Sequence, residues 1–271
     1  MNGASREALS AAREQLDALT DSTSVDAAGL AEELAAVTAL LHGEGTLRRA
    51  LSDPAKSGEA KAALVRQLFT GQVGGATLDL LSGMVRSRWS QPRDLVDAIE
   101  ELANTADLIV AQRRGALDDV EDELFRFGRI LSGSSELRSA LANQVANGEA
   151  KAGLLHSLLG GRANPVTERL VTRLVTAPRG RSLESGIESL SKLAAARRSR
   201  VVAEVTSATP LSDQQKQRLA DALARIYGRQ VHLNLDVDPA VLGGVRVRIG
   251  DEVINGAIAD RLEEASRRMA G

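Results

Sequence analysis

The chain has 271 residues, 26% of them charged, and a formal net charge of -2. That length supports about two domains with real cores, while near-neutral charge and only 2% aromatic residues argue against a nucleic-acid binder. Without cysteine, disulfides, thiolate metal sites and cysteine nucleophiles are excluded. No apolar run reaches the ~18 residues of a membrane span, and the first residues lack the apolar stretch of a secretory leader.

Ala, Leu, Arg and Glu dominate up to about residue 199, with apolar residues at helical spacing. The first helix carries the stripe Leu9, Ala12, Leu16 and Leu19, with Ser5 as its expected N-cap. A second carries Leu30, Leu34, Val37 and Leu41. A short helix "TLRRAL" follows, broken at "DPAKS", where Pro54 pushes Asp53 away from helical geometry. The next helix opens at "GEAKA", residues 58–62, with Ser57 as cap and Glu59 in the first turn, and Leu64, Val65, Leu68 and Phe69 are its expected buried face. Two more helices follow, separated near Pro92.

"GEAKA" returns at residues 148–152. Between residues 46 and 72, 12 of 27 positions are identical to those 90 residues later, where composition alone would give roughly 3. The register extends outward: Leu30, Leu34 and Leu41 meet Val120, Leu124 and Leu131, and the cap Ser57 meets Asn147. "AIEEL" at 98–102 matches "GIESL" at 186–190, so the second copy is two residues shorter in a loop. Leu9, Ala12 and Leu19 also fall on Ile99, Leu102 and Ile109, which makes the helix near 94–114 both the end of one copy and the start of the next. The expected class is mostly α: two tandem small bundles related by duplication, residues 1–94 and 95–199, followed by a small α/β domain at 200–271.

That last domain begins where "RVVAEVTSATP" turns β-branched. A helix capped at Ser212 or Asp213 follows, carrying Leu219, Leu223 and Ile226 and ending at Gly228. A strand then alternates Val231, Leu233, Leu235 and Val237 inward. Val245, Val247 and Ile249 oppose Arg246 and Arg248, Gly250-Asp251 suits a tight turn before Val253-Ile254, and Asn255 can cap a last helix with the stripe Ile258, Leu262, Ala265 and Met269.

The pattern Asp238, Pro239, Leu242, Gly243, Gly244, a valine/arginine strand, Gly250, Asp251, Gly256, Arg261, Leu262 and Glu263 resembles the C-terminal signature of the delta subunits of F-type ATP synthases, relatives of the mitochondrial oligomycin-sensitivity-conferring protein. Asn255 and Ala257 stand where the family usually has Asp and Ser. The resemblance covers about residues 95–271 and leaves 1–94 as an extra bundle. It implies a non-catalytic stator subunit on the cytoplasmic side of the bacterial plasma membrane, touching the membrane only through its complex. Its helical bundle would grip the amino-terminal segments of the alpha subunits, and its C-terminal domain would bind the carboxy-terminal helix of the b subunit. By family geometry the grip lies between the first and fifth helices of the second bundle, which selects Leu108, Ile109, Leu170 and Leu174. An ordinary core role is the competing reading of these four, and a duplicated helical adaptor of another complex is the competing reading of the whole.

Chemistry is not indicated. His42, His156 and His232 are scattered, "GEAKA" lacks phosphate-loop spacing, and adjacent carboxylates such as Asp118-Asp119 point apart on a helix. No cofactor or metal is expected. Trp89 reads as a packing anchor, and "RRSR" at 197–200 as a cationic helix end complementing the dipole.

Overall fold

The computed structural model describes all residues except 22–24, 144, 199–200, 228–230, 239–243, 250–251 and 256–271. The chain divides into two compact units, Met1–Ala195 and Ala196–Gly271. The first is built from α1 (Gly3–Asp21), α2 (Ala27–Gly43), α3 (Gly45–Ser52), α4 (Gly58–Phe69), α5 (Gly75–Arg86), α6 (Pro92–Arg113), α7 (Leu117–Gly133), α8 (Ser135–Ala142), α9 (Gly148–Leu159), α10 (Pro165–Thr176) and α11 (Leu183–Arg198). The second contains β1 (Val201–Ser207), α12 (Asp213–Tyr227), β2 (Val231–Val237), β3 (Val245–Ile249) and β4 (Glu252–Asn255).

Helices α2 to α5 begin and end 90 residues before α7 to α10. The local chemistry that sets those boundaries is repeated with them. Ser57 Oγ accepts from Ala60 N–H at 3.2 Å and Asn147 Oδ1 from Ala150 N–H at 2.7 Å, so each "GEAKA" is a capped helix start. A Cβ at Gly58 would sit 3.2 Å from the Arg86 backbone, a tight contact, so glycine lets the start of α4 approach the end of α5 closely. Glu33 of α2 accepts from Gly74 N–H at 2.9 Å and from the Thr77 hydroxyl, tying down the start of α5. Glu123 of α7 does the same for α10, accepting from Asn164 N–H at 2.9 Å and Thr167 Oγ1 at 2.5 Å. A carboxylate at a helix N-terminus meets both orphan N–H groups and the positive end of the dipole.

One apolar core runs from Ala8 to Ala194 through both copies. Helix α6 is the element they have in common: it packs on α1, α2, α3 and α5, and on α7 and α10. Fourteen of its 22 residues are buried, as a helix packed on all sides requires. Trp89 is buried just before α6, its indole N–H donating to Met84 O at 2.8 Å.

Four local expectations are corrected. Ser5 lies inside α1, because that helix starts at Gly3; its buried hydroxyl donates to Asp94 at 2.7 Å and accepts from Ser90 N–H at 2.8 Å. On α4 the inner face is Lys61, Ala62, Val65 and Phe69, whereas Leu68 is 41% exposed. Lys61 reaches Ser87 O with its ammonium at 3.3 Å, so its aliphatic stem serves as core; burial lowers its pKa and Asp53 partly restores it.

In the second unit the sheet order is β2-β1-β3-β4, with β1 and β2 parallel and the other pairs antiparallel. Helix α12 makes the crossover and packs on β2. It opens with a reciprocal cap: Ser212 Oγ accepts from Gln215 N–H at 3.3 Å, and Gln215 Oε1 accepts from Ser212 N–H at 2.9 Å. Ala203, Val205, Leu223, Val231 and Val247 form its core among the described residues. The third correction falls on β2, where Val231 is buried but Leu235 and Val237 are exposed; an outer strand has a neighbour on one side only. The fourth is Ile226 of α12, which is exposed too. β3 and β4 pair as the expected hairpin, Ile249 opposite Glu252. The expected last helix, with Ile258, Leu262, Ala265 and Met269, lies outside the described residues.

Ser57→Ala and Asn147→Ala should each cost about 1 kcal/mol, lowering Tm by about 2–4 °C. Because the caps serve separate helices, the double variant should show the sum within about 0.5 kcal/mol; thermal unfolding of the full chain followed by circular dichroism checks both values.

Candidate functional site

Helices α6, α10 and α11 enclose a cleft of about 360 Å³ in the second copy. Leu170 and Leu174 of α10 and Leu190 and Leu193 of α11 supply its apolar lining, and Asp97, Glu101 and Asn104 of α6 with Arg173 of α10 supply polar groups. The position of α10 follows from its start. Pro165 occupies the first turn, Asn164 caps Val166 N–H at 2.9 Å, and the Glu123 carboxylate holds the same end.

Two ion clusters fix the walls. Asp107, whose side chain is 1% exposed, accepts from Arg169 Nε at 2.9 Å and from Arg173 Nη2 at 2.9 Å. Arg173 also donates to Asn104 Oδ1 at 2.8 Å. Two arginines four residues apart on one face of α10 thus close on one buried carboxylate of α6. Glu100, also buried, accepts from Arg179 and from Arg181 Nη2 at 2.6 Å, and Arg179 Nη1 lies 2.9 Å from Asp97. Arg179 has φ 50, in the left-handed region that favours glycine. Its buried guanidinium and its carbonyl, which accepts from Arg93 Nη2 at 2.6 Å, hold it there.

Buried pairs of this kind are close to break-even against an apolar replacement, while loss of one partner is expensive. Their contribution here is orientation: they set α10 and the loop before α11 against α6.

Of the four residues selected from sequence, Leu108 is fully buried, and Ile109, Leu170 and Leu174 nearly so. Leu170 and Leu174 come together at the cleft; Leu108 and Ile109 sit in the common core and do not line it. On α6 the cleft is faced by the polar positions Asp97, Glu101 and Asn104, so the apolar residues Leu108 and Ile109 turn to the common core instead. The ion clusters escaped sequence reasoning because their partners lie 62 to 81 residues apart. A usable signal was present, namely two carboxylates, Glu100 and Asp107, set among the apolar positions of α6.

In the second unit Asp238 N–H donates to Ser207 O at 3.0 Å, joining the end of β2 to the end of β1. Gly244 has φ 86, which accounts for glycine before β3. Pro239, Gly243, Gly250, Asp251, Gly256, Arg261 and Leu262 of the same pattern lie outside the described residues.

The protein is thus of the mostly α class, with a helix-lined cleft in its helical unit and a small α/β sheet in a separate unit. Among the described residues no group of three His, Cys, Asp or Glu could hold a metal ion, and no helix is long and apolar enough to cross a membrane. The family model described as ATP synthase delta (OSCP) subunit matches residues 105–269. The chain is 73% identical over 271 residues to the ATP synthase subunit delta of Streptomyces griseus subsp. griseus, covering 100% of both chains. It is 72% identical over 270 residues to that of Streptomyces coelicolor, covering 100% of this chain and 98% of the relative. It is 47% identical over 271 residues to that of Thermobifida fusca, covering 100% of both. The chain belongs to the ATP synthase delta (OSCP) subunit family, and so to the peripheral stalk of that complex. The matched residues begin within α6, while these relatives span the first copy as well.

Asp107→Ala would strand Arg169 and Arg173, and we expect a loss of about 3–5 kcal/mol. Replacing all three together, Asp107→Leu with Arg169→Met and Arg173→Met, should recover most of it; urea unfolding of the three proteins measures the difference.

Proposed function

We propose that the chain is a non-catalytic stator link. Its second bundle binds the amino-terminal segment of an alpha subunit, its α/β unit binds the carboxy-terminal helix of the b subunit, and together they hold the catalytic head against rotor torque. The reading places the protein on the cytoplasmic side of the bacterial plasma membrane, attached peripherally through its complex. The division of labour is that of the sequence reading: residues 95–199 grip the head, residues 200–271 the stalk, and residues 1–94 are the extra copy that has α6 in common with the second.

The observation that carries this reading is the α6–α10–α11 cleft, whose α10 and α11 walls lie in the part of the chain that the family match covers. Amphipathic helices are recognised by laying an apolar stripe into such a groove. Leu170 and Leu174 would meet the partner's anchors, with Leu108 and Ile109 as the support behind them. A load shared by packing and ion pairs over several helices suits a static link, since no single contact has to bear it. Nothing in such a link requires a nucleophile, a base or a metal.

Immobilised peptides of the alpha amino terminus and of the b carboxy terminus should each retain the full chain separately, and both together should retain it in one ternary complex. Retention by neither peptide, from a sample with a cooperative thermal transition, would reject the proposal.

A further inference from the structure

The two copies offer the same three-helix groove twice: α1, α5 and α6 in the first, and α6, α10 and α11 in the second. The second encloses the cleft described above, with Leu170 1% and Leu174 and Leu190 5% exposed at its floor; in the first, the matching positions Leu80, Met84 and Leu102 are 1% exposed or less, as is Ala98, which matches Gly186. Gln15 of α1 lies over Gly83 of α5, where even a Cβ would collide with its amide, and its Nε2 donates to Asp79 O at 3.2 Å. Helix α1 is also fastened along its length. Ser5 bonds Asp94 and Ser90, Arg13 pairs with Glu101, and Arg113 donates to Val25 O at 2.9 Å and to Thr20 O.

The second copy has exchanged these closing elements. Gly83 becomes Arg173, which turns to α6, and Gln15 becomes Thr105. Ile109 and Val110, nearly buried in α6, become Arg197 and Arg198 in α11. A cationic pair cannot be driven into an apolar seam as Ile-Val can. Helix α11 is held where Gly186 is pressed against Leu174, where Ile187 Cγ2 lies 3.1 Å from the place of a Gly128 Cβ, and where Leu190 and Ala194 are buried, and Arg181 just before it bonds Glu100. Along the same length it borders two hollows, the cleft at Gly186, Ser189 and Leu193 and one of about 410 Å³ against α7 at Glu184, Ile187 and Ser191.

We infer that the two copies are unequal: a partner helix seats in the second only, with α11 as the wall that gives way, and the first is a brace whose groove is filled by its own side chains. The first copy identifies the occupant by its own packing, since there the same space is filled by side chains that neighbouring helices contribute. What the second lacks is side-chain volume of that kind, which an amphipathic partner helix carries. The inference rests on the proposed function and adds a stoichiometry to it, one alpha segment for each chain.

Because the chain contains no cysteine, single labels are clean. Glu14→Cys places an environment-sensitive dye on the first groove, at the position matching Asn104, and Ser189→Cys places one on the cleft. A synthetic peptide of the alpha amino terminus is titrated into each full-length protein, with calorimetry in parallel. One peptide for each chain, a saturating shift of the label at 189 and none at 14 are expected. Ser189→Trp, at an exposed position on the α11 wall, should weaken binding at least tenfold without moving the melting transition; Leu193→Asp should do the same, with its melt recorded as a control. Two peptides for each chain, or a response at 14, would overturn the inference and leave the proposed function standing. Absence of any binding by the folded chain would remove the proposed function and the inference with it.

Discussion

Helix α6 has to be a wall of two bundles at once, and the rest of the first unit is arranged around that constraint. A helix that closes a single bundle can leave one face in water, but α6 packs on helices of both copies and buries 14 of its 22 residues. Its polar residues therefore have to be satisfied by neighbours. Asp107 is met by Arg169 and Arg173, and Glu100 by Arg179 and Arg181, all four contributed by the second copy. The first copy is fastened to the same helix by apolar packing, by Ser5 and Arg13, and by Arg113 of α6 donating to Val25 O and Thr20 O.

The duplication has kept some features and changed others, and the physical distinction between them is locality. Caps at Ser57 and Asn147, and the carboxylates Glu33 and Glu123 over the starts of α5 and α10, solve a backbone problem that each helix poses regardless of its surroundings. The arginines at 169 and 173, by contrast, have Asp79 and Gly83 as counterparts. These positions face another helix, where several combinations of volume and charge pack equally well, so divergence there alters a surface without breaking a fold.

The same distinction explains what could be read in advance. Helical stripes, the two capped "GEAKA" starts, the shared helix and the strand-helix-strand order of the last unit are local patterns, and the described residues follow them. Ser5 was legible as a polar residue near a helix start, yet its role depends on Asp94 and Ser90, more than 80 residues away. Leu68 obeys the stripe and still faces outward, while Lys61, a charged residue on the same helix, turns inward. At the cleft, Leu170 and Leu174 were accessible from the family's helix numbering. The ion clusters required knowing which helices touch.

Stiffness and binding make opposite demands on a helical bundle. A close-packed core transmits load because it leaves no free volume, and for the same reason it has no room for a partner's side chains. A bundle that grips a helix must keep a space, and a wall beside that space is held less tightly than one packed along its whole length. A single bundle has to compromise between the two. Two bundles with a helix in common do not: the first fills its groove with Gln15 and stays closed, and the second keeps the cleft. Since α6 is the wall of both, the closed copy stiffens the side of the cleft that must not move and leaves compliance to α11 alone. On this view the first 94 residues act on the site without lining most of it, by fixing the helix against which a partner is seated.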